Sequence, residues 1–100
     1  MSAYVLAIYD VVSQKGYEPY VPAVVPLLQK YGAEVLAADY APTVLEGDRR
    51  GVVVVLRFES EKKAMDWYND PAYEPVRKIR LDSTSKGFLA LAKQFVPPGS

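Results

Sequence analysis

The sequence predicts an α+β domain of order β-α-β-β-α-β. Two apolar runs without helical period, Ala3 to Val11 and Val52 to Glu59, read as strands. Segments with helical apolar spacing follow each of them. Turn-forming residues stand between the pieces, at Gly32, at 46–51 and at Asp70-Pro71. The 100 residues make one domain. It is expected to span residues 1–96, with a tail at 97–100.

The first strand is apolar on both faces. Ala3, Val5, Ala7, Tyr9 and Val11 lie on one face, and Tyr4, Leu6 and Ile8 on the other. A strand of that kind is covered on both sides. Gly16 to Tyr31 predicts one helix, because Tyr17, Val21, Val24, Leu28 and Tyr31 make a single stripe. Pro19 suits its first turn, while Pro22 and Pro26 are expected to bend it. Gly32 suits the left-handed position that ends a helix.

Glu34 to Leu45 predicts a second strand, irregular near Pro42 and therefore at a sheet edge. Residues 46–51 read as a hairpin connection. In the third strand Val52, Val54, Leu56 and Phe58 share one face. Val53 and Val55 begin the other face, which ends in Arg57 and Glu59. Ser60 is a helix cap, and Ala64, Met65, Trp67 and Tyr68 supply that helix with an apolar side. Asp70 is expected to cap a short further helix through about Arg80, with Pro71 in its first position. Lys86 to Phe95 is the last strand.

This order is the ferredoxin-like motif, a four-stranded antiparallel sheet with the helices on one face. Helices on one face leave the other uncovered, yet that other face of the first and third strands is apolar. Exposed apolar patches above a few hundred Å² are rare on soluble monomers. A homodimer through sheet faces is the expected remedy.

Composition excludes several chemistries. There is no cysteine and no histidine. Thiolate nucleophiles, disulfides and the usual neutral-pH base and metal ligand are therefore absent. Net charge is zero, and the adjacent basic pairs Arg49-Arg50 and Lys62-Lys63 build no basic stripe, so no nucleic-acid partner is expected. No run of eighteen apolar residues predicts a membrane span. No basic-then-apolar leader is visible, and a cytoplasmic address is expected. No carboxylates are spaced for a metal, no glycine-rich phosphate loop is present, and no cofactor is expected.

Several segments resemble a small bacterial family. They are Tyr17-Glu18-Pro19-Tyr20, Val25 through Ala33, Leu45-Glu46-Gly47, Arg57-Phe58-Glu59-Ser60, and Trp67 through Tyr73, with Arg80 at a position where that family tends to carry a basic residue. The family is domain of unknown function 1330, within the dimeric α/β-barrel superfamily. The resemblance implies a ferredoxin-like dimer whose two sheets face each other as a barrel. It implies no activity. Wider relatives include cofactor-free monooxygenases, haem-degrading monooxygenases, lactone isomerases and stress-response proteins. Haem-binding relatives usually use a histidine ligand, which this chain lacks.

Eight tyrosines and one tryptophan are many for this length. One reading is core packing with hydroxyls at the surface. The other is an aromatic pocket between helices and sheet, lined by Tyr17, Tyr20, Trp67, Tyr68 and Tyr73. Arg57 and Arg80 are its candidate anion anchors. Arg80 has an alternative use, an ion pair with Glu74 or Asp82. A hairpin centred between Asp48 and Arg49 pairs Tyr40 with Arg57 and Asp39 with Phe58. That pairing makes Asp39, Tyr40 and Arg57 the candidate catalytic group; the simpler reading leaves Asp39 and Arg57 as solvated strand charges. The expected function is binding of a small aromatic or carboxylated molecule in that pocket. The alternative is a cofactor-independent isomerase, cyclase or monooxygenase-like enzyme that uses Tyr, Asp and Arg side chains.

Overall fold

A computed structural model describes residues 1–99; Ser100, the end of the expected tail, lies outside the described residues. The elements are β1 (Ala3–Val11), α1 (Gln14–Tyr17), α2 (Tyr20–Lys30), β2 (Glu34–Asp39), β3 (Val52–Phe58), α3 (Glu61–Tyr68), α4 (Tyr73–Ser83) and β4 (Thr84–Lys93). The strands form one antiparallel sheet of order β2-β3-β1-β4. This is the ferredoxin-like α+β arrangement.

Strand alternation sorts the side chains by face. Ala3, Val5, Ala7 and Tyr9 lie opposite Phe58, Leu56, Val54 and Val52. This face is buried under the helices, against Tyr20, Val24 and Leu28 of α2, Ala64 and Trp67 of α3, and Tyr73 and Val76 of α4. The opposite face carries Tyr4, Leu6 and Ile8, paired with Arg57, Val55 and Val53 on one side and with Ala92, Ala90 and Phe88 on the other. None of those residues is fully buried, and Phe88 is 56% exposed.

The expected first helix is two helices. Pro19 has no N–H to continue the ladder, so the chain breaks after Tyr17 and restarts at Tyr20. Ser13 caps α1 through the Gly16 N–H. Tyr17, Val24 and Leu28 of the expected stripe are buried, while Tyr20 is buried in place of Val21, which is exposed. Pro22 sits at the third position of α2, where an N–H has no helical partner. Pro26 alone lies in the interior of the helix.

Strand β2 stops at Asp39, short of the expected Leu45. The Asp39 carboxylate accepts the Ala41 N–H and turns the chain out of the sheet. The connection to β3 is thus long, and the tight-hairpin register is corrected. Asp39 faces Val53, and Arg57 faces Glu34, with a bulge between Val35 and Ala37.

The second half differs in its junctions. Asp70 accepts the Ala72 N–H in a turn, and α4 begins at Tyr73, so Pro71 precedes the helix. Helix α4 runs beyond Arg80 to Ser83 and passes straight into β4, two residues before the expected strand start. A bulge at Lys86-Gly87 lies opposite Tyr9, with Lys86 at φ +53°. No helix among the described residues is long and apolar enough to cross a membrane.

Candidate functional site

Helix α2 does not lie flush on the sheet. A cavity of about 120 Å³ separates them. Tyr20, Val24 and Leu28 line it from α2, and Val5, Ala7 and Leu56 from the sheet. Ala7 and Ala38 set only a methyl group where a branched residue would fill the space. Val35, Ala38 and Tyr40 lie on the β2 side and are exposed, which gives the cavity its mouth. The volume is on the scale of one aromatic ring, since a dry apolar cavity of about 150 Å³ admits benzene.

Tyr9, Tyr17, Tyr20 and Tyr40 border the cavity, and their hydroxyls bond to one another or to other tyrosines. Tyr9 and Tyr17 hydroxyl oxygens are 2.6 Å apart, and Tyr17 and Tyr40 are 3.2 Å apart. The three residues are 2%, 4% and 51% exposed, so the chain of hydroxyls runs from the core to the surface. A separate pair, Tyr20 and Tyr73, is 3.0 Å apart and ties α2 to α4. Burial pushes the Tyr9, Tyr17 and Tyr20 hydroxyls above the ordinary tyrosine range, because the charged form loses its water. All three are neutral at pH 7.

Two buried donors near these rings lack acceptors. Trp67 borders the cavity, and its Nε1 has no partner. Arg80 is 6% exposed, its Nε has no partner, and it forms no ion pair among the described residues. Its guanidinium carbon lies 5.9 Å from the centre of the Tyr9 ring. Burial opposes the Arg80 charge, but Tyr73 and Tyr20 outweigh it and hold its pKa above the ordinary arginine value. Among the described residues no group of three or more histidine, cysteine, aspartate or glutamate side chains could hold a metal.

Comparison with known proteins now bears on this geometry. The model of the domain of unknown function DUF1330 matches residues 2–93. The chain belongs to the DUF1330 family. No curated protein matches this DUF1330 sequence. Its fold is shared by the RPA0582 protein of unknown function from Rhodopseudomonas palustris, at TM-score 0.81 and 16% identity, over 96% of this chain and 84% of that one. SnoaB from Streptomyces nogalater, described as a cofactor-independent oxygenase, aligns at TM-score 0.65 and 8% identity, over 99% and 98%. A dimeric ferredoxin-like protein of unknown function from Thermobifida fusca aligns at TM-score 0.64 and 14% identity, over 91% and 89%.

The DUF1330 chain spreads its sequence-predicted residues over several places. Tyr17, Tyr20, Tyr40 and Trp67 border the cavity. Tyr68 faces a second groove beside β4, and Arg77 stacks on its ring at 4.9 Å. Tyr73 is fully buried, with its ring 4.6 Å from that of Trp67. Asp39 and Arg57 belong to the other face of the sheet: Arg57 by alternation along β3, opposite Tyr4, and Asp39 because the bulge in β2 sets it opposite Val53. Arg57 lies 3.6 Å from Glu34 there. Expecting Asp39, Tyr40 and Arg57 as one group is therefore corrected. Arg80 pairs with neither Glu74 nor Asp82; Asp82 holds Lys78 instead. Tyr9 was missed as a site residue. Its signal was available: a hydroxyl on the buried face of a central strand needs a partner.

Proposed function

We propose that this DUF1330 protein binds a ring-sized organic molecule with an oxygen substituent in the cavity between α2 and the sheet. The cavity carries this reading. An apolar hollow next to the unpaired Trp67 Nε1 suits a ring whose oxygen accepts that N–H. The protein works as a homodimer through the open sheet face. The apolar residues Leu6, Ile8, Val53, Val55 and Phe88 on that face support this, as does the dimeric state described for the Thermobifida fusca protein.

A second reading, a cofactor-independent enzyme, draws on the Tyr9–Tyr17–Tyr40 hydroxyl chain and on the fold shared with SnoaB. Both readings use the same cavity. Trp67 is the single tryptophan, so its fluorescence reports the cavity directly. Titration with phenol and with benzoate should give saturable quenching. Val21→Phe, which enlarges an exposed side chain on the cavity lining, should abolish it without unfolding the chain. Quenching that persists unchanged in that variant would place the ligand elsewhere.

A further inference from the structure

We propose that the hydroxyls of Tyr9, Tyr17 and Tyr40 form a proton relay between the cavity and solvent, serving a ligand with an exchangeable O–H proton, a phenol or the enol of a carbonyl compound. The proposal rests on the binding reading of the cavity and deepens it.

Three observations support the relay. The first is continuity. All three tyrosines border the cavity, and their oxygens are separated by 2.6 and 3.2 Å. The second is polarity. In both contacts either oxygen can donate, so the chain can point inward or outward. Reversing a chain of hydroxyls carries one proton from end to end. The third is residue choice. Phenylalanine would fill the same volume with no polar group to satisfy, and burying a hydroxyl is unfavourable unless it is bonded. Three tyrosines in line, graded from buried to half-exposed, give the chain an inner and an outer end.

The step balances without an added reactant. The ligand O–H gives its proton to the Tyr9 oxygen as the Tyr9 proton moves to Tyr17, the Tyr17 proton to Tyr40, and the Tyr40 proton to water. The ligand is left as an oxyanion and water as hydronium. Every tyrosine ends neutral, and the reverse passage restores the start. Buried Arg80, near the Tyr9 ring and without an acidic partner, supplies positive charge at the inner end.

The relay is tested without any ligand, by NMR measurement of the exchange of the Tyr9 hydroxyl proton with water. Tyr40→Phe keeps the ring at the mouth and removes only the outer link. Exchange should slow by about a hundredfold, the low end of what one positioned proton-transfer group contributes. Tyr31→Phe, which removes a hydroxyl bonded to Asp70 and outside the cavity lining, should leave the rate unchanged. An unchanged or faster rate in Tyr40→Phe, or equal slowing in both variants, overturns the relay. Phenol titration of the same samples by Trp67 fluorescence separates the two ideas. If phenol binds wild type and Tyr40→Phe equally while exchange is unaffected, the relay alone falls. If phenol does not bind, the reading of the cavity falls.

Discussion

A side-chain carbon on Gly87 would come within 2.2 Å of the Ile8 carbonyl oxygen. It would also meet the Tyr9 backbone and Cβ at 2.7 Å or less. The bulge in β4 thus requires glycine at the point where Tyr9 turns its ring toward the cavity. Gly87→Ala should destabilise the fold by about 1–3 kcal/mol, as overpacking generally does. Urea denaturation measures it. A midpoint equal to wild type would mean that β4 can shift freely.

Arg80 predicts parallel effects on stability and binding. Burial opposes its charge, but Tyr73 and Tyr20 outweigh burial, so the fold favours the charged form. Arg80→Met keeps much of the apolar stem and removes the charge. Thermal unfolding should move to lower temperature, and benzoate affinity should fall by about 1.5–3 kcal/mol. Arg57→Ala, on the far face of the sheet, should leave affinity unchanged. Loss of affinity in Arg57→Ala with none in Arg80→Met would reverse the assignment.

Asp70 predicts an acid-side stability change. Its carboxylate accepts bonds from the Tyr31 hydroxyl, the Ala72 N–H and Lys30, which hold its pKa at about 2, below the ordinary 3.8. A carboxylate with a depressed folded pKa stabilises the fold above its unfolded pKa. That contribution is lost as pH falls from 3.8 toward 2. Asp70→Asn should therefore be less stable than wild type at pH 7, and the gap should narrow near pH 2. A gap of constant size across this range would show that the charge plays no part.

The buried tyrosines predict the alkaline side. Tyr17 and Tyr20 have raised pKa values, so the fold favours their neutral forms. The corresponding stabilisation is complete below pH 10 and is lost as pH rises above it. An ultraviolet titration, with circular dichroism followed on the same samples, measures this. Tyr17 and Tyr20 should ionise together with unfolding. Ionisation of Tyr17 and Tyr20 in a chain that stays folded would contradict this.

The open sheet face predicts the assembly. Sedimentation at micromolar concentration should give twice the chain mass. Val55→Asp puts a charge opposite Leu6 in the middle of that face and should give a folded monomer. A dimer that survives this change must use another surface.

Strand order and faces were legible because β1 and β3 carry apolar residues at both alternations and a few Pro and Gly residues mark most of the breaks. Tyr17, Tyr20 and Trp67 were legible as pocket residues because aromatic side chains on the inner faces of helices converge on one sheet. Register was not legible. The long connection between β2 and β3 takes Asp39 far from its expected partner Phe58, and the extra residue between Val35 and Ala37 moves it one position further along β3, from Val52 to Val53. The role of Tyr9 escaped because its partner Tyr17 is brought close by a helix break, which a repeating stripe conceals. Arg80 could not be placed, because the absence of an acidic partner is a property of packing and not of spacing.

The bulge in β2 also bears on solubility. An edge strand offers a ladder of free amide and carbonyl groups to any passing chain. Here Leu36 interrupts that ladder in mid-strand, and the acidic residues Glu34 and Asp39 stand at its two ends. A protein with one sticky sheet face is guarded in this way against a second mode of self-association, the growth of ribbons strand by strand.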